Sequence, residues 1–122
     1  MDLTPAAAIA DLDAQLATDG HDIVVQRVTG GTTVAQAVTM RAFVRGYQPQ
    51  ELVNGITQQD AKVILSPTGL ATFNSGAATG LDVKVPIKGN RMVINGRTRS
   101  VEAAVGIYMA GTLVRVEARV LG

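Results

Sequence analysis

Apolar residues recur along this chain in two rhythms, a helical one at the start and a strand-like one after residue 20. Thr4-Pro5 opens the first element, because Thr caps a helix and Pro suits its first position. Ile9, Leu12 and Leu16 then fall on one face at helical spacing, while Asp11 and Gln15 point elsewhere. Asp19-Gly20 supplies a stop. Residues 1–19 are therefore expected to hold a short N-terminal amphipathic helix of about four turns. Its single weak stripe needs a partner surface to be stable.

Beyond Gly20 the period falls to two. Residues 22–29 (DIVVQRVT) form a β-branched run that Gly30-Gly31 breaks. The clearest strand covers 36–45: Val38, Met40, Ala42 and Val44 share one face, and Thr39, Arg41, Phe43 and Arg45 the other. Residues 62–66 (KVILS) make a third strand. Residues 91–94 and 97–101 flank Asn95-Gly96, the strongest short hairpin signal, since both turn residues tolerate positive φ. The chain runs on through 101–108, turns at 109–111 and returns over 113–121. There Val114, Val116, Ala118 and Val120 alternate with Arg115, Glu117 and Arg119. About six or seven strands in mostly hairpin order predict a mainly β protein, a small antiparallel β-barrel or sandwich.

Two long loops interrupt this frame, 46–59 (GYQPQELVNGITQQ) and 67–82, the latter rich in Gly, Ala, Ser and Thr. Loops of this length are uncommon unless functional or mobile. Leu52, Val53 and Ile56 in the first are costly to leave in water, so a partner surface is expected to cover them. With no internal repeat, the 122 residues read as a single domain with one core.

Composition sharpens the picture by subtraction. Cys is absent, which removes disulfides, thiolate metal sites and Cys nucleophiles, and makes the cytoplasm the default compartment. The start of the chain lacks the basic residues and apolar run of a secretory signal, and no stretch approaches the roughly 20 apolar residues of a membrane span. His21 is the only histidine, in a turn-like Asp19-Gly20-His21-Asp22 setting, so neither a triad nor a multi-His metal site can be assembled. Asp11 and Asp13 point to different faces of the helix, and Glu51 and Asp60 have no evident partner. Gly30-Gly31-Thr32-Thr33 leads into a strand and lacks the Lys of a phosphate-binding loop. No catalytic, cofactor-binding or metal site is expected, and the chain is not read as an enzyme.

Charge is nearly balanced at +1 but unevenly spread. Asp2, Asp11, Asp13, Asp19 and Asp22 fall in the first 26 residues without a Lys or Arg, whereas Lys84, Lys88, Arg91, Arg97 and Arg99 follow one another without an acid. Either these are two solvated surfaces, or Asp11 and Asp13 of one copy meet Lys88, Arg91, Arg97 and Arg99 of the next. A basic hairpin on a small barrel also fits an OB-like nucleic-acid-binding module, but the hairpin has none of the stacking aromatics single-strand binding favours.

The second half of the chain carries a familiar order. Ile56-Thr57-Gln58-Gln59-Asp60-Ala61-Lys62-Val63-Ile64-Leu65-Ser66 is followed by a variable loop. Then come Val85-Pro86-Ile87-Lys88-Gly89-Asn90-Arg91-Met92-Val93-Ile94-Asn95-Gly96, a Val-rich segment, a Gly turn and a closing strand from Leu113 to Gly122. This resembles the head-completion, stopper or head–tail joining proteins of tailed-phage necks. Many of these have Gly-Asp where this chain has Gly89-Asn90, and often an aromatic near Arg99; the missing acid would strengthen the basic patch. The resemblance implies a β-barrel virion protein that forms a six- or twelve-fold ring of its own copies. The ring sits beneath portal and adaptor proteins and above the tail terminator or tail tube, retains packaged DNA, and offers the tail its docking surface. It implies residence in the virion neck, with assembly in the host cytoplasm and no membrane contact. By layout it places the channel or assembly loop at Tyr47, Gln48, Glu51, Leu52, Val53, Asn54 and Ile56. The alternatives are another small β-barrel connector or tail-end protein, or the nucleic-acid-binding module.

Overall fold

The computed structural model describes residues 4–29, 33–46, 60–76 and 82–121. One helix, α1 (Pro5–Asp19), precedes six strands: β1 (His21–Thr29), β2 (Thr33–Gly46), β3 (Ala61–Leu65), β4 (Arg91–Ile94), β5 (Arg97–Met109) and β6 (Thr112–Val120). Every pairing is antiparallel, and the order β1-β2-β3-β6-β5-β4 closes into a barrel. The barrel alternative is therefore the correct one. The two runs expected at 97–101 and 101–108 are one continuous strand, which brings the count to six.

Long strands make closure possible because each changes partner along its length. β2 pairs β1 over its first part and β3 over residues 42–46. β5 pairs β4 through Arg97–Ser100 and then β6 from Val101 onward. Glu102 is the extra residue of a bulge at that changeover, and bulges bend a strand and raise its twist. Two tight turns hold the second half in register. Asn95 (φ 52°) and Gly96 (φ 77°) form the expected hairpin turn, and Ala110 (φ 50°) and Gly111 (φ 80°) build a similar one between β5 and β6. Ala110, inside the turn expected at 109–111, adopts a left-handed conformation that a Cβ disfavours.

The barrel interior is filled by aliphatic side chains from every strand, including Ile23, Val25, Met40, Ala42, Val63, Leu65, Met92, Ile94, Val101, Val116 and Val120. The inward and outward faces of β2 are as its alternation indicates: Met40 and Ala42 are buried, and Val38 and Val44 pack against the core from its margins. On β6 the alternation breaks at one point. A second bulge lets Leu113 join the core, while Val114 is buried beside α1 instead. Leu70 and Phe73, from the second long loop, also enter the core, so this part of the loop is packed structure.

Helix α1 lies on the outside of the barrel. Thr4 Oγ1 accepts from Ala7 N at 3.1 Å, and Pro5 stands in the first turn, as the capping pattern indicates. Leu12 and Leu16 are buried against the outer face formed by Phe43, Ile64 and Arg115. The last turn exposes backbone carbonyls with no intrahelical partner. Arg41, on the outward face of β2, donates from Nε to Leu16 O (3.2 Å), and from its terminal nitrogen to Ala17 O (3.2 Å) and Gly20 O (2.7 Å). A guanidinium there satisfies those acceptors and opposes the negative end of the helix dipole. Gly20 allows the close approach: a Cβ at that position would lie 2.6 Å from Leu16 O and 2.8 Å from Ala42 O. Gly20→Ala is accordingly expected to cost about 1–3 kcal/mol, measured by urea denaturation, with α1 amides losing hydrogen-exchange protection first.

Candidate functional site

The residues expected to form a channel or assembly loop, Tyr47, Gln48, Glu51, Leu52, Val53, Asn54 and Ile56, lie outside the described residues. The proposed contact residues, Asp11, Asp13, Lys88, Arg91, Arg97 and Arg99, are all described. Asp11 is exposed on α1. Asp13 is engaged within the chain, its Oδ2 accepting from Thr68 Oγ1 at 2.7 Å, which ties the helix to the loop after β3. Lys88 Nζ lies 3.6 Å from Glu102 Oε1, yet its side chain is 76% exposed and free to rearrange.

Strand register divides the basic hairpin. Directly opposed residues of an antiparallel pair point to the same side of the sheet. Arg97 stands opposite Ile94 and Arg99 opposite Met92, both buried, so these two arginines project on the inward side of the β4–β5 hairpin. Arg91 stands opposite Ser100 and Gln26 on the outward side. The structure thus separates Arg91 from Arg97 and Arg99, which sequence spacing alone had grouped together.

Asn90 corrects a second expectation. It is buried, and its side chain organises the start of β4: Oδ1 accepts from Ile87 N (2.8 Å), and Nδ2 donates to Ser75 O (3.1 Å). Its backbone O accepts from Val101 N at 2.9 Å. An aspartate could not donate to Ser75 O and would bury a charge. The residue is an internal brace, and its neutrality leaves the surface charge pattern untouched.

The outer face of β3, β6 and the β5 bulge carries a chain of ion pairs. Lys62 Nζ meets Glu117 Oε1 at 2.6 Å, Arg115 Nε lies 3.8 Å from Glu117, and Arg119 approaches both Asp60 (3.6 Å) and Glu102 (3.9 Å). Asp60, for which the sequence offered no partner, is buried at the start of this ladder. The hydrogen bond from Lys62 holds the Glu117 carboxyl below its usual range, against the opposing effect of burial, and the nearby arginines add to the lowering. His21 is the first residue of β1, half-buried, with its Nε2 shielded from solvent and without a hydrogen bond among the described residues. Its expected place at the surface of a turn is corrected accordingly: strand alternation puts it on the same side as Ile23 and Val25.

Apolar surface gathers on β5. Ala103, Val105 and Ile107 form its outward row, with Val105 63% and Ile107 37% exposed. Beside the strand runs a cleft of about 380 Å³ lined by Asp82, Val85, Pro86, Ile87, Lys88, Ala104, Gly106 and Tyr108. The lining is mostly aliphatic. Its acid is engaged, Tyr108 Oη donating to Asp82 Oδ2 at 3.3 Å; burial and that carboxylate both raise the Tyr108 pKa. Among the described residues, no three His, Asp or Glu side chains come together as metal ligands, and no helix is long and apolar enough to cross a membrane. No family model matches this chain, and neither a curated protein nor a solved structure matches it.

Two measurements test these assignments. Asn90→Asp should lower stability by about 2–4 kcal/mol, because it loses a buried donor and adds a buried charge, as read by chemical denaturation. Glu117→Gln should cost about 1 kcal/mol near neutral pH. A carboxyl held low in the folded state contributes stability above its unfolded pKa, and that stability is lost as pH falls through the folded value. The difference between wild type and Glu117→Gln should therefore close in acid, and a gap that persists well below the carboxylate range would refute the assignment.

Proposed function

We propose that this protein is a structural component of a tailed-phage neck, a ring of identical subunits between the portal–adaptor complex and the tail that retains packaged DNA and presents the tail-docking surface. The observation that carries this reading is the order of turns and strands from Ile56 onward. Its described part supplies β3, β6, β5 and β4, four consecutive neighbours in the barrel wall. The compact barrel suits such a role, since it offers a rigid wall from which loops and an external helix can reach neighbours. Clefts lined by aliphatic side chains, with the acids engaged by Tyr, Lys or Arg partners, also favour a role exerted through surfaces. Head-to-tail contacts between identical subunits close into a ring when the rotation permits.

The nucleic-acid-binding alternative draws less support, because the arginines of the hairpin project to opposite sides of the sheet. Deleting the gene from its parent phage tests the proposal. Filled heads that leak DNA alongside complete, unattached tails are the expected outcome. Normal heads with malformed tails would assign the protein to the tail end instead.

A further inference from the structure

Among the described residues, the second part of β5 is an edge with no strand on one side. Residues 103–109 pair with β6 on one side, while β4 reaches only as far as Ser100 on the other. Among the described residues no backbone group of another segment bonds to that free side. The segment 82–88 runs beside it but turns its bonds inward, Val85 N to Asp82 O at 3.1 Å and Ser75 N to Val83 O at 2.9 Å. Val85 packs against the core and forms part of the floor of the cleft described above.

Edges of this kind are normally protected by Lys, Pro, inward charges or a covering element. Here the sequence AAVGIYM contains no charge and no proline. The outward side chains Val105 and Ile107 are both exposed. The neighbouring strands show what this chain does elsewhere with outward positions, which on β6 are Arg115, Glu117 and Arg119. An edge that carries no charge or proline of its own, beside such a charged face, is a surface suited to being covered.

The charges at its two ends indicate by what. Lys88 stands at the 103 end, 3.6 Å from Glu102, and Asp82 stands at the 109 end, bonded to Tyr108. We infer that residues 103–109 pair antiparallel with the same segment of a second copy of this chain, across a two-fold axis at Gly106. This register places Val105 opposite the partner copy's Ile107, and Ile107 opposite its Val105, so two apolar cross-strand pairs cover the exposed row. It also brings Lys88 of each copy to the Asp82 end of the other, which makes the patch self-complementary in charge, as an isologous contact requires. Gly106 suits the axis: a Cβ there would lie 3.0 Å from both Leu113 Cδ1 and Val85 Cγ2, so the position is already filled from within. The contact rests on the edge, its apolar row and the charges at its two ends, and does not depend on the neck reading.

Sedimentation velocity and light scattering over a dilution series of the whole chain test this. A dimer is expected, and Val105→Lys with Ile107→Lys should weaken it at least about tenfold, while circular dichroism shows the barrel intact. Lys88→Asp and Asp82→Lys should each weaken self-association, yet an equimolar mixture of the two should recover a heterodimer, because both crossed contacts then join opposite charges. If Asp82→Lys disturbs its own turn, Asp82→Asn replaces it and should pair with wild type less strongly than wild type with itself. A protein that stays monomeric throughout the series, or a dimer indifferent to lysines at 105 and 107, would overturn the inference.

Discussion

Closure of the barrel depends on a short seam. β1 and β4 share only the pairs Val24–Val93, Val25–Met92 and Gln26–Arg91, whereas β1–β2 and β5–β6 pair along most of their length. Without those pairs the chain would be an open sheet with β1 and β4 as its edges. The seam is held from both sides: Val25 and Met92 are fully buried beneath it, and Asn90 anchors β4 immediately before it through Ile87, Ser75 and Val101. A buried amide with both its oxygen and its nitrogen bonded fixes backbone geometry more specifically than an apolar residue could. The barrel's scarcity of aromatics follows the same logic. A narrow interior shared by six strands is filled by Val, Ile, Leu, Met and Ala, and among the described aromatics only Phe73 enters it, from a loop.

Much of this was legible in the chain. Period-two alternation located β2 and β6, a β-branched run located β1, Asn95-Gly96 located its hairpin, and Thr4-Pro5 with Asp19-Gly20 bounded the helix within a residue. These signals are local, which is why they survive without a structure. What escaped was non-local or register-dependent. The packing of Leu70 and Phe73 depends on where a loop falls after closure. The inward side of Arg97 and Arg99 depends on which residues oppose them, and the extra residue at Val114 depends on a bulge that no dipeptide announces. In the sequence Asn90 reads only as a missing acid beside the basic patch, because nothing in Gly89-Asn90 signals burial. The candidate site was legible to a lesser degree: charge order along the chain suggested one basic patch, and the sheet's alternation divided it.

Surface chemistry follows from how the outward positions are used. Outward residues on β3 and β6 are charged and mutually paired, from Asp60 through Arg119 and Glu117 to Lys62. Exposed pairs of this kind add little stability singly, but they keep those strands soluble and discourage stray pairing. The outward residues of β2 beneath the helix serve a different purpose, with Arg41 spent on the carbonyls of α1 and on Asp22 at 3.5 Å. The helix therefore depends on the barrel for both its buried leucines and its C-terminal cap.

β5 is the exception on this surface, and its position explains why. Like β2 it changes partner along its length, and among the described residues no strand stands on the other side of its second part once β4 ends. A chain under selection only for monomeric solubility could place a lysine at Val105 without touching the core, since that side chain is already 63% exposed. The neighbouring strand shows that charges are tolerated at equivalent outward positions. Steric need does not account for Ala103 and Val105, whose side chains point away from the interior, whereas Ile107 also borders α1 beside Leu12 and Val114. The apolar identity of Val105 is thus separable from folding, and the property it confers, apolar surface that is unfavourable in water, is one that another surface can use by covering it.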